Sequence, residues 1–253
     1  MTQNDGGSTE RRDFVLQRAD DDGGLGEQAR LVVHGVWRNL PAEAPLTDAM
    51  GRLDAEVEAL ARHQAAALTA PGRDEVEQAC AALRSAAGAQ DDAERTADAL
   101  SGDRIQFLET SLEFHDRHGT QPCPVCATGT LDDEWVARAR AALAAEQEAA
   151  RALRVARSAA HRARQALTAL VRAVEAPPAE DAGLTAITSA RGAYQSFSAL
   201  PTDDDTTLAD HVARGLPELR TAYDALRTAA AAKLESAQAA QKWLRALAST
   251  PPR

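Results

Sequence analysis

Two cysteines separated by two residues, in Cys123-Pro124-Val125-Cys126, carry the strongest chemical signal in the sequence. Two thiolates at that spacing can grip one tetrahedral ion through bonds of about 2.3 Å, which is the chemistry of Zn2+. Pro124 stiffens the turn and removes a competing N–H. A structural zinc takes four protein ligands, and no second Cys-x-x-Cys exists in the chain, so this pair is half a site. A second copy of the same turn could supply the other two thiolates, giving a four-cysteine site across a homodimer. Alternatively His115 and His118 could serve, being three apart on one helical face, with His118 five residues before Cys123. In the third alternative the turn holds no metal.

The same motif can do thiol redox work, but that requires the first cysteine to open a helix after a strand. Here a helix and a proline precede it. Cys80, on an apolar stripe, reads as a small core residue. Trp135 and Trp243 read as packing anchors. No GxxxxGK[ST] phosphate loop, GxSxG, HExxH, kinase signature or strand-borne GxGxxG occurs, so no nucleotide site and no catalytic site is expected in this chain.

The cysteine turn lies in FHDRHGTQPCPVCATGTL, residues 114–131, between long Ala-, Leu- and Arg-rich segments. From Pro45 the apolar period is helical: Met50, Leu53, Val57 and Leu60 share a seam, Thr47-Asp48 can cap it, and Pro71-Gly72 stops it. A second helix is expected from Asp74 through Val76, Cys80, Leu83 and Ala87. A third is expected from Asp91 or Asp92 to His118, weakened at Ser101-Gly102, with Ala97, Ile105, Leu108, Leu112 and His115 as its stripe. After the turn, Asp132 or Asp133 is placed to cap a helix running from Glu134 to about Glu175, roughly 60 Å long at 1.5 Å per residue. Pro177-Pro178 ends it. A shorter helix over 182–199 follows, then one from Thr206 or Thr207 with a kink expected at Gly215 to Pro217.

The order of helices and breaks predicts an all-α protein, an elongated, segmented antiparallel coiled-coil hairpin with the CPVC turn at its apex. Its expected divisions are a poorly ordered segment 1–44, with short strands at Phe14–Gln17 and Leu31–Trp37, an ascending arm 45–118, an apex 119–131, a long helix 132–176 and a returning arm 177–250.

Composition agrees with thin helical pairs rather than a wide core: of 253 residues only 4% are aromatic, while 26% are charged. A formal charge of −10 argues against wholesale nucleic-acid binding, since phosphate contacts need excess Lys and Arg. Within 134–172 the balance reverses, with eight arginines against three glutamates. Such a helix could touch DNA phosphates, but arginines paired with the acidic first arm are the more ordinary reading. No apolar run of about 18 residues and no signal-peptide core are present, so a cytoplasmic protein without a membrane span is expected.

The segment FHDRHGTQPCPVCATGTLDDEWVARARAAL, with its helical flanks, resembles the middle region of bacterial SMC-like AAA family ATPases of the SbcC type, the DNA-repair ATPases with a zinc hook. In that family two ATPase halves are separated by a long antiparallel coiled coil, and a Cys-x-x-Cys apex pairs with a second apex through zinc. The resemblance spans about Pro45 to Leu247, with only the turn specific. It implies that Cys123 and Cys126 are hook ligands sharing Zn2+ between two apices, and that any contact with DNA runs indirectly through the ATPase halves. The chain lacks the family's phosphate loop, signature and Walker B motifs, so the resemblance implies a fragment or a stand-alone hook. It also carries Ala127 where many zinc knuckles carry glycine, which strains the turn if that position needs positive φ. The alternative is a metal-free helical scaffold that binds another coiled-coil protein.

Overall fold

The computed structural model describes residues 6–97 and 101–249. The expected Pro251-Pro252 stop lies outside them, as do residues 1–5. Among the described residues the chain forms eight helices and one two-stranded ribbon, an all-α protein as expected. The helices are α1 (Gly6–Asp21), α2 (Glu27–Arg38), α3 (Leu46–Ala67), α4 (Arg73–Thr96), α5 (Ser101–His118), α6 (Asp133–Arg172), α7 (Ile187–Ser198) and α8 (Asp205–Ala248). The ribbon, β1 (Gln121–Pro122) and β2 (Thr130–Leu131), is antiparallel, with Gln121 opposite Leu131 and Pro122 opposite Thr130.

Several boundaries differ from expectation. The strands expected at Phe14–Gln17 and Leu31–Trp37 are helical. Their buried residues follow a helical period: Val15 and Ala19 on α1, and Ala29, Val33, Val36 and Trp37 on α2. α3 starts after Pro45 with no side-chain cap from Thr47 or Asp48. α4 runs through Asp91 and Asp92, which therefore do not begin the next helix. Ala182 and Gly183, expected to be helical, both have positive φ (46° and 65°), which delays α7 to Ile187. α8 continues through Pro217.

The chain divides into two compact units. The first comprises Met1–Pro71, Arg172–Ala199 and Arg214–Arg253. Its core draws on α2, α3, α7 and α8, with Trp37, Leu53, Leu60, Phe197, Leu219, Tyr223 and Leu244 almost wholly buried. Residues 173–186, between α6 and α7, have neither helix nor strand and cross this unit as a strap. Carbonyls and N–H groups without a ladder must find other partners, and here they do. The Glu175 N–H donates to Thr69 Oγ1 at 2.8 Å, and the Tyr223 hydroxyl donates to the Glu175 carbonyl at 2.6 Å. Arg191 Nη2 donates to the carbonyls of Pro178, Ala179 and Glu180 at 2.6, 2.5 and 3.1 Å. Lys233 Nζ donates to the Ala182 carbonyl at 2.7 Å.

The second unit comprises Gly72–Val171 and Leu200–Ala213. Val76, Cys80 and Leu83 on α4, Ala160, Leu167 and Val171 on α6, and Leu208, Ala209 and Val212 on α8 are its buried residues distant from the cysteine turn. Nearer the turn, Leu112, Val136 and Ala139 form a small cluster flanked by Leu108, Trp135 and Leu143. Only α5 and α6 contribute to it, and alanine and partly buried side chains make its stabilisation small per residue.

Candidate metal centre

The cysteine turn is built from its two ends inward. His118 ends α5, and Gly119 takes φ 70°, the left-handed conformation that stops a helix and is open to glycine without strain. The ribbon then brings residues 121–122 beside 130–131. Inside it, the Cys123 N–H donates to the Gly129 carbonyl at 2.7 Å and the Ala127 N–H to the Cys123 carbonyl at 2.9 Å. These two bonds close a loop of fixed size around residues 124–128. Asp132 then starts α6: its Oδ1 accepts the Trp135 N–H at 2.8 Å, the N-cap arrangement expected from the sequence. Ala127 sits at φ 57°. The position where many knuckles carry glycine does require the left-handed conformation, and here a residue with a Cβ adopts it.

Cys123 is half-buried and Cys126 exposed, and neither is in a disulfide. The Thr128 hydroxyl first, then the Thr128 and Gly129 backbone N–H groups and the Cys123 thiol, favour the Cys126 thiolate and bring its pKa down to about 6. Donors aimed at sulfur favour the thiolate, the form that binds metal. Cys126 is thus held toward the thiolate, with the Cys123 thiol beside it in the same turn. Thr128 and Gly129 were missed as contributors at the sequence level; a threonine two residues after a cysteine carries no signal until the turn conformation is known.

The histidines are placed elsewhere. His115 lies on α5 with a side chain only 12% exposed, its ring 6.5 Å from that of Trp135, and neither ring nitrogen has a hydrogen-bond partner. His118 is exposed and its ring packs on Phe114 at 4.7 Å. Among the described residues no group of three or more His, Cys, Asp or Glu side chains is gathered in a way that could hold a metal ion. The structure brings Cys123 and Cys126 together and does not add His115 or His118 to them.

Cys80 is a core residue as expected: it is buried, its thiol donates to the Ala209 carbonyl at 3.4 Å, and burial raises its pKa. Trp135 packs in the cluster beside the turn. Trp243 does more than pack, since its indole N–H donates to Asp22 Oδ2 at 2.8 Å and thereby lowers the Asp22 pKa. Four of the eight α6 arginines face carboxylates: Arg138 with Glu134 at 2.5 Å, Arg140 with Asp116 at 3.6 Å, Arg157 with Glu94 at 3.0 Å and Arg164 with Asp205 at 2.7 Å. Glu94 has its pKa lowered chiefly by Arg157. Arg140 and Arg157 pair with the first arm as read from the sequence, whereas Arg138 pairs within α6 and Arg164 with the start of α8.

A cleft of about 690 Å³ lies in the first unit between α2, α3 and α8. Its cations are already engaged, Lys233 with Glu56 at 3.0 Å and Arg52 with the Asn39 carbonyl at 2.8 Å. None of the described helices is long and apolar enough to cross a membrane. Comparison with protein-family models, with characterised proteins and with solved structures gave no match.

Proposed function

We propose that the chain is the coiled-coil and hook portion of an SMC-like AAA family ATPase of DNA repair or chromosome maintenance. In this reading α5 and α6 are the arms of an antiparallel coiled-coil hairpin and the CPVC turn is its apex. Two apices share one Zn2+ through Cys123 and Cys126 of each copy. The chain has no ATP site, and its contribution is mechanical: it joins two molecules whose DNA-engaged ATPase halves lie outside these residues.

The observation that carries this reading is the turn itself. Its N–H and hydroxyl donors hold Cys126 toward the thiolate, and Val125 between the cysteines is 76% exposed, so a second copy can reach the pair. Zinc binding to the two turns releases the remaining thiol protons, which makes pairing depend on both metal and pH.

Zinc content measured together with mass in solution tests the hook. The expected result is one Zn2+ per two chains and a dimer that chelator dissolves, with both lost in a Cys123→Ser, Cys126→Ser variant. Equal mass for wild type and variant, with zinc in neither, leaves the metal-free helical scaffold as the reading. The ATPase assignment has its own test in the coding sequence upstream, where a phosphate loop in the same frame is expected.

A further inference from the structure

His63 on α3 is wholly buried, and neither of its ring nitrogens has a hydrogen-bond partner. An imidazole so placed gives up its hydration without a well-formed hydrogen bond in return, a cost far larger for the charged ring than for the neutral one. The strap residue Glu180 lies against it through its backbone. Three charged groups face the ring: the Glu180 carboxylate from the strap, Arg62 from its own helix and Arg191 from α7. Two cations outnumber the one carboxylate. Glu180 is also ion-paired with Arg62 at 3.6 Å, which reduces its capacity to stabilise a charged ring.

The strap is the part of this unit best suited to move. It is held by the hydrogen bonds from Tyr223, Arg191 and Lys233 and to Thr69, and within 173–186 only Val174, Pro177 and Leu184 are buried. Segments with few buried apolar contacts open at lower free energy than the helices beneath them.

We propose that His63 is a proton-operated latch: its neutral ring keeps the strap 173–186 closed over α3, and protonation in mildly acidic solution opens the strap. Burial, the largest cause, lowers the His63 pKa in the closed form; the Glu180 backbone opposes it next, and Arg191 and then Arg62 lower it further against the Glu180 carboxylate. In the open, hydrated form the ring titrates at its ordinary value of about 6.5. The group whose pKa is depressed on closure stabilises the closed strap fully above about pH 6.5. That stability falls as pH drops below 6.5, by up to about tenfold in the open fraction per pH unit.

Hydrogen exchange on the full chain at pH 7.5 and 5.5, corrected for intrinsic rates, reads the latch directly. Strap amides are expected to lose about tenfold of their protection at the lower pH, while amides around Leu167 in the second unit keep theirs. In His63→Leu, which fills the site without titrating, strap protection is expected to be the same at both pH values. Unchanged strap protection in the wild type, or an equal loss in His63→Leu, overturns the proposal. If His63→Leu does not fold, the His63 ring resonances of the wild type decide. A ring that stays neutral until the strap opens supports the latch, whereas titration near pH 6.5 with the strap closed overturns it.

Discussion

Asp132 accepts the Trp135 backbone N–H on its carboxylate at 2.8 Å, and so fixes the first turn of α6 immediately after the ribbon. The bond also sets the azimuth of Trp135, whose ring meets His115 and whose side chain joins the Leu112, Val136 and Ala139 cluster. Asp132→Ala is expected to cost about 1 kcal/mol of stability in the second unit, with Asp132→Asn retaining most of it, as read by denaturant midpoints.

Cys126 is exposed and held toward the thiolate, so it is expected to be the thiol that alkylates first. Its alkylation by iodoacetamide is expected to follow a titration centred near pH 6, rising with pH as thiolate forms and reaching a plateau by about pH 7.5. Thr128→Val removes the largest of the donors and moves that midpoint upward. A profile for Cys126 indistinguishable from a free thiol, centred near pH 8.5, would contradict the donor geometry.

His115 has a largely buried ring with no hydrogen-bond partner for either nitrogen, the Asp116 carboxylate standing 3.8 Å from Nδ1. Replacing it with leucine removes an unsatisfied polar group, so His115→Leu is expected to raise stability by about 1 kcal/mol. It is also expected to leave zinc content unchanged. Loss of zinc in this variant would place the imidazole among the ligands.

Ala127 pays for its φ of 57° with strain of about 1–2 kcal/mol, part of which glycine returns as unfolded-state entropy. Ala127→Gly is expected to tighten zinc binding by about two- to fivefold, measured by competition with a chromophoric chelator.

Gly183 is at φ 65°, and a Cβ there would stand 2.9 Å from Lys233 Nζ. Gly183→Ala is expected to destabilise the first unit by about 1–2 kcal/mol through backbone strain, and to disturb the Lys233 bond to Ala182 as well. Thermal unfolding of the variant beside wild type measures it.

The helices with strong caps or stops were legible from sequence. Asp132 announced α6, and Pro71-Gly72 announced the end of α3. The N-terminal helices were not, because Val32, Val33, Val36 and Trp37 carry strand-favouring side chains that mask the four- and three-residue spacing of the positions that become buried. The strap was legible only as a break at Pro177-Pro178. What holds it, Thr69, Tyr223 and Lys233, comes from distant parts of the chain, and no local pattern points to them. At the cysteine turn, the two thiols and the demand on Ala127 were both visible in advance, whereas the donors to Cys126 required the backbone conformation.

The contact between α5 and α6 rests on a short apolar cluster, Leu108 and Leu112 against Trp135, Val136, Ala139 and Leu143, and leaves the rest of the pair to polar side chains. So small a cluster stabilises the pairing only modestly. The polar pairs across it are spaced unevenly, Asp116 with Arg140, Glu109 with Gln147 and Arg104 with Glu146, so a shift by one turn would match few of them. Individually such exposed pairs add little stability. Together they act as a vernier, selecting one register, and concentrated salt would blur that choice well before it melted either helix.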